Sequence, residues 1–139
     1  MPNTGDRADA QTVKAKIVLV ADDNPLIRKM LCRMFEAEEH YNLCEQAENG
    51  RQAIELALRC RPDLIILDLS MPVMNGLEAA WELKRLMPHV PIILFSQHAV
   101  ALDKKSPSGL LFDRFVSKVE SGQLMKHVKE LAPMPMILP

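Results

Sequence analysis

The chain has 139 residues, a net charge of −1, 48% hydrophobic and 25% charged residues, the make-up of one soluble globular domain and not of a disordered chain. A near-neutral balance gives no electrostatic case for binding nucleic acid or an anionic membrane surface. The apolar runs fall far short of the ~20 residues a membrane helix needs, and the polar start MPNTGDRADAQTVKAK has no apolar secretory segment.

Taken in order, the residues alternate between strand-like and helix-like stretches. Residues 1–15 are expected to be a flexible lead-in. IVLVADD (Ile17–Asp23) opens with a continuous apolar run, the mark of a strand buried on both faces. Asn24–Glu39 carries Leu26, Ile27, Met30, Leu31, Met34 and Phe35 on one helical face, with Asn24 as N-cap and Pro25 in the first turn. Leu43–Glu48 is a weak second strand punctuated by Asn49-Gly50, and Gln52–Cys60 is a helix that ends before Pro62.

Leu64–Leu69 reads as the central strand and Met71–Gly76 as a loop. A third helix over Leu77–Met87 is expected to bury Leu77, Ala80, Trp81, the stem of Lys84 and Leu86. PIILFSQ (Pro91–Gln97) supplies the next strand. Ala99–Lys105 reads as a helix stopped early by Ser106-Pro107-Ser108-Gly109. Leu110–Phe115 fits either a helix end or a strand, and Val116–Lys118 closes the sheet. Glu120–Leu131 is a last amphipathic helix with Leu124, Val128 and Leu131 inward, after which residues 132–139 form a tail or the start of a linker. The alternation predicts an α/β fold with a parallel sheet and helices on both faces.

Cys32, Cys44 and Cys60 are odd in number and contain no CxxC pair, so they are expected to be thiols buried as small hydrophobes in a reducing cytoplasm, with no disulfide or metal role. The four histidines have no ligand spacing.

The chemistry gathers at one edge. Four apolar runs (IVLVADD, LIILDLS, PIILFSQ and FVSK) each finish on a reactive polar residue, and in an open α/β sheet ligands bind outside the carboxyl ends of the strands. Asp22, Asp23, Asp68, Ser96 and Lys118 therefore converge there. Asp23 or Asn24 alone would be read as a helix cap, and Ser96 or Lys118 alone as an ordinary strand end. Three carboxylates at two strand ends call for a hard cation, and Mg²⁺ fits one held by oxygen ligands beside a phosphate. A carboxylate can act as a nucleophile toward phosphorus. Asp68 is the candidate nucleophile, with Lys118 to neutralise phosphoryl oxygens and the Ser96 hydroxyl to bind the new group.

Across Lys16 to Leu131, the motifs VLVADDNPLIRKML, DLIILDLSMPVMNGLEA, PIILFS and FVSK resemble the receiver domain of bacterial two-component response regulators. The resemblance makes 16–131 the receiver domain and implies a single doubly wound five-stranded parallel sheet of flavodoxin-like order 2-1-3-4-5. It implies that Asp68 is the phosphoacceptor. Mg²⁺ would be ligated by Asp23, Asp68 and the backbone carbonyl of Ser70, with Asp22 acting mainly through water. Ser96 matches the switch hydroxyl, Lys118 the phosphoryl-binding lysine and Phe115 the rotating aromatic.

The implied function is Mg²⁺-dependent acceptance of phosphate from a histidine kinase or phosphotransfer protein, switching contacts on the face formed by the fourth helix, last strand and last helix. Such a domain catalyses only its own phosphorylation and dephosphorylation and is not an enzyme toward external substrates. Implied partners are the kinase, a downstream target or output domain and a second copy of the chain, with no nucleic acid or membrane bound directly.

Three departures stand out. Gln97 follows the switch serine where a small residue is usual, and Val119 replaces the usual proline after Lys118. Leu110-Leu111-Phe112 replaces an Ala-Gly pair, which with Pro107 makes the fourth helix short, shifted or mobile. They slightly favour an alternative, a phosphorylation-independent interaction module with the same fold, against which stands the presence of all five site residues, Asp22, Asp23, Asp68, Ser96 and Lys118. A phosphatase of the haloacid dehalogenase type is disfavoured, since it needs a second acid two residues after the nucleophile, where this chain has Ser70.

Overall fold

The computed structural model describes residues 14–97, 105–106 and 109–135. Strand β1 (Lys16–Ala21) is followed by helix α1 (Pro25–Glu36), β2 (Tyr41–Leu43), α2 (Gly50–Cys60), β3 (Leu64–Leu67), α3 (Gly76–Leu86) and β4 (Ile92–Ser96). An antiparallel pair, β5 (Lys105–Ser106) and β6 (Gly109–Leu110), precedes β7 (Arg114–Ser117). A 3-10 segment over Lys118–Gln123 leads into α4 (Leu124–Leu131).

The apolar runs pair as parallel neighbours in the order β2-β1-β3-β4-β7, which is the predicted 2-1-3-4-5 with β7 as the fifth strand. Because side chains alternate across a strand, each run feeds two cores. Leu19, Ala21, Ile65, Leu67, Ile92 and Leu94 pack against α2 and α3 on one face. Val18, Val20, Leu64, Ile66, Ile93 and Phe95 pack against α1 and α4 on the other. That double burial explains why these runs show no polar alternation.

Three helices start on asparagine caps: the side chains of Asn24, Asn49 and Asn75 accept from the backbone N–H groups of Leu26, Gln52 and Glu78. At α3 the Glu78 carboxylate also accepts from the Asn75 N–H, completing a capping box. These caps fix where each helix leaves the carboxyl edge of the sheet.

Several boundaries differ from those predicted. The second strand falls earlier, at Tyr41–Leu43, although the chain accompanies β1 further: the Cys44 and Ala47 N–H groups still donate to Val18 and Val20, with residues 45–46 breaking the ladder. Helix α3 presents Gly76, Ala79, Ala80 and Leu83 to the core, leaving Trp81 46% exposed. The Lys84 ammonium ends in a bond to Asp113 at 2.8 Å, and Asp113 also accepts from the Ile92 N–H at 2.8 Å, tying α3 to two strands. Leu26 is exposed, so the inner face of α1 rests on Leu31 and Phe35.

Of the helix predicted over Ala99–Lys105, residues 99–104 lie outside the described residues, and Lys105 is in a strand. The last strand is Arg114–Ser117, and Leu111 and Phe112 are buried in the α2/α3 core. The packed part continues past Leu131: the Ala132 carbonyl accepts from the Tyr41 hydroxyl at 2.7 Å in a buried bond. Four α-helices are present among the described residues, and none is long and apolar enough to cross a membrane.

Candidate functional site

Asp22 and Asp68 are the residues that follow β1 and β3, neighbouring strands in register. The Asp68 N–H donates to the Ala21 carbonyl at 2.8 Å, and the Asp22 N–H to that of Ala47 at 3.0 Å, so the sheet ladder itself holds both backbones. Their side chains are buried, Asp22 1% and Asp68 5% exposed, while Asp23 points to the exterior. Carboxylate oxygens of Asp22, Asp23 and Asp68 lie within 4.8 Å of one another.

Lys118 enters from the first residue after β7. Its Nζ is 2.7 Å from Asp22 Oδ2 and 3.2 Å from Asp68 Oδ1, and stands 6.0 Å from the centroid of the Phe95 ring. Val119 in place of proline has not displaced the lysine, and no cis peptide bond is present among the described residues. Asp22 Oδ1 accepts from the Asn24 N–H at 2.9 Å, which fixes that carboxylate from the other side.

One ammonium against three carboxylates leaves the charge under-compensated. Burial pushes the Asp68 carboxyl above its usual range, the Asp22 charge adds to the push, and Lys118 opposes it without cancelling it. For Lys118, burial alone pulls the ammonium down. The pairs with Asp22 and then Asp68 outweigh that and hold it above the ordinary lysine value. The donor set is all oxygen, anionic and short of positive charge, which suits a small hard cation such as Mg²⁺.

Ser96 is buried at the last residue of β4, beside β3 and opposite Ser117 of β7. Ser70 is exposed in the loop after β3, and Phe115 of β7 is half-buried against the α2/α3 core. Asp22, Asp23, Asp68 and Lys118 thus come together directly. Ser96, Ser70 and Phe115 make no hydrogen bond or ion pair to the carboxylates among the described residues.

Two supports escaped the sequence reading. Arg28 donates to the Asp22 carbonyl at 2.6 Å and pairs with Glu48 at 3.4 Å, clamping the turn that carries both acids. Its only sequence signal is its place one helical turn after the Asn24 cap. Gly76 is the other: its N–H donates to the Leu69 carbonyl at 2.9 Å, and it touches the backbone of Asp68 where no side chain would fit.

The model of the response regulator receiver domain matches residues 18–129. The chain belongs to this family. The transcriptional regulatory protein PdtaR of Mycobacterium tuberculosis (strain ATCC 25618 / H37Rv) is 42% identical to this receiver over 96 residues, 68% of the chain and 46% of PdtaR. A protein-glutamate methylesterase/protein-glutamine glutaminase of Treponema pallidum (strain Nichols) is 38% identical over 99 residues, 71% of the chain and 22% of that protein. The chain therefore spans less than half the length of these curated relatives.

Among solved structures, the response regulator TrrA of Thermotoga maritima in complex with Mg²⁺-BeF superposes with a TM-score of 0.74 at 33% identity, covering 84% of this chain and 98% of TrrA. TrrA in complex with the histidine kinase ThkA gives 0.71 at 33% identity, covering 84% and 97%.

Proposed function

We propose that this receiver accepts a phosphoryl group on Asp68 from a histidine kinase or a phosphotransfer protein and uses it to switch protein contacts. The observation that carries the reading is Asp68 itself: a buried carboxylate at the end of a central strand, raised in pKa, paired with Lys118 and within 4.8 Å of the Asp22 and Asp23 carboxylates. The Mg²⁺-BeF complex of TrrA and its complex with ThkA support the same cation and the same class of partner.

Asp23, Asp68 and the Ser70 carbonyl would hold Mg²⁺, with Asp22 acting mainly through water, and the bound cation would supply charge neutralisation for the transferred oxygens. An Asp68 oxygen attacks phosphorus, the bond to the donor nitrogen breaks, and its electron pair leaves with the donor histidine. The product is an acyl phosphate. Lys118 already lies against Asp68 and pairs with the phosphoryl oxygens, and the Ser96 hydroxyl donates to them. Ser96 and Phe115, on adjacent strands, carry the change to the β7/α4 face, where a downstream protein, an output domain or a second copy would read it. Site residues act on this chain's own phosphate, not on an external metabolite, in the cytoplasm.

Incubation with Mg²⁺ and acetyl phosphate is expected to add one phosphoryl mass to the intact chain, and a chelator to prevent it. Mg²⁺ binding without uptake from acetyl phosphate or from a phosphorylated kinase would overturn this reading and favour a phosphorylation-independent interaction module.

Lys118→Ala tests the electrostatics. Without a divalent cation it leaves Asp22 and Asp68 facing each other uncompensated, so the variant is expected to lose about 1.5–3 kcal/mol at neutral pH. Saturating Mg²⁺ should recover part of that deficit while phosphate-dependent change stays weak. Urea titrations with and without Mg²⁺ measure it; a deficit indifferent to the cation would sink the argument.

A further inference from the structure

The sequence shows Cys44 and Cys60 as unrelated residues, yet the fold sets their sulfurs face to face. Cys44 follows edge strand β2, Cys60 is the last residue of α2, and their Sγ atoms are 2.9 Å apart. Both are free thiols and half-buried, not enclosed as small hydrophobes. A disulfide bond is ~2.05 Å long, so less than an ångström of approach separates contact from a covalent bond. Each side chain is already turned toward its partner.

We propose that Cys44 and Cys60 form a reversible intramolecular disulfide that locks the end of β2 to the C-terminus of α2. The oxidant is a peroxide. The Cys60 sulfur attacks a peroxide oxygen, the O–O bond breaks, the thiol proton passes to the departing oxygen, and a sulfenic acid and water result. The Cys44 sulfur then attacks the Cys60 sulfur, the S–O bond breaks, and the oxygen leaves as water. In total two thiols and hydrogen peroxide give one disulfide and two waters, the sulfurs losing the two electrons the peroxide gains.

The order of attack follows from the surroundings. Burial, and then the hydrogen bond with Cys60, push the Cys44 thiol up to about 12. Cys44 therefore keeps its proton while Cys60 is oxidised, and gives it up to the oxygen that leaves Cys60 as water when the two sulfurs join. The remaining cysteine, Cys32, contacts the Gln46 amide, and it provides an internal control.

The test uses the full chain, treated with hydrogen peroxide, then alkylated under denaturing conditions and digested. The expected result is a two-hydrogen loss in intact mass, a peptide joining Cys44 to Cys60, an alkylated Cys32, and full reversal by dithiothreitol. The oxidised chain should melt about 5 °C or more above the reduced one, since the bond closes a short loop in the unfolded state. Cys32→Ser should retain the cross-link, whereas Cys44→Ser and Cys60→Ser should each lose it. A bond that includes Cys32, disulfides between chains, or sulfinic acid at Cys60 with Cys44 still free would each overturn the proposal.

Discussion

Asp68→Asn is expected to take up no phosphoryl group under conditions that label the parent chain, and to be more stable than the parent at neutral pH in the absence of a divalent cation. The first half follows from the chemistry, because an amide oxygen is not a nucleophile toward phosphorus. The second follows from linkage. Burial and the nearby Asp22 charge hold the Asp68 carboxyl above its ordinary range despite Lys118. The folded chain thus binds this proton more tightly than the unfolded chain, where an aspartate titrates near ~3.9. As pH rises from there through the folded value, the folded state loses stability relative to the unfolded one.

The amide carries no charge to desolvate, so the stability advantage of the variant should open over that interval and stay level above it. Asn at this position still offers an oxygen to Lys118 and an N–H toward Asp22, which keeps the buried groups partnered. Mg²⁺ should narrow the gap by binding the parent and not the variant. Urea denaturation of both proteins at stepped pH, in chelator and in Mg²⁺, measures all three effects. Labelling of the variant would move the acceptor to another residue. An advantage that shrinks toward neutral pH would mean that Asp68 is not the strained carboxylate.

The carboxyl-edge site was legible because its signal is local: an apolar run ends, and the next residue is polar. The run in IVLVADD reads as a doubly buried strand, and its end puts Asp22 and Asp23 at the edge. Which acid turns inward was not legible. Consecutive residues at a strand end leave in different directions, and the water-mediated place assigned to Asp22 went with no information on its burial. The structure makes Asp22 the more enclosed of the pair and the nearer partner of Lys118.

Trp81 shows a second kind of ambiguity. Residues 77, 80, 81 and 84 and residues 76, 79, 80 and 83 are both i, i+3, i+4, i+7 sets, rotated by one position. Side-chain size favours the first set in the sequence. Close packing of α3 on α2 and the sheet favours the second, whose glycine and alanines admit a near approach. The Cys44–Cys60 contact was invisible for a different reason. It depends on where an edge strand meets the far end of a helix, and no periodicity records that.

Gly76→Ala is expected to be the most damaging of the single-methyl changes in this domain. A Cβ at Gly76 would lie 2.2 Å from the Asp68 carbonyl oxygen and 2.9 Å from the Leu69 Cα, both backbone atoms that cannot rotate away. The Asp68 backbone is in turn pinned by its bond to Ala21 and by the bond from Gly76 to Leu69. Either the start of α3 lifts off, breaking the Asn75–Glu78 capping box, or the phosphoacceptor is pushed out of line with Lys118. Overpacking of this kind costs about 3 kcal/mol, which for a chain of this size lowers Tm by about 10 °C. Gly122→Ala is the matched control: a Cβ there has nothing within 4 Å, so its effect should stay within about 0.5 kcal/mol. Thermal melts of the two variants beside the parent separate steric contact from any general penalty for replacing glycine. Labelling rates with acetyl phosphate at a temperature where Gly76→Ala remains folded then ask whether Asp68 has moved. If the two variants melt together, the close approach of Gly76 does not hold the Asp68 backbone, and the ladder from Ala21 positions the acceptor alone.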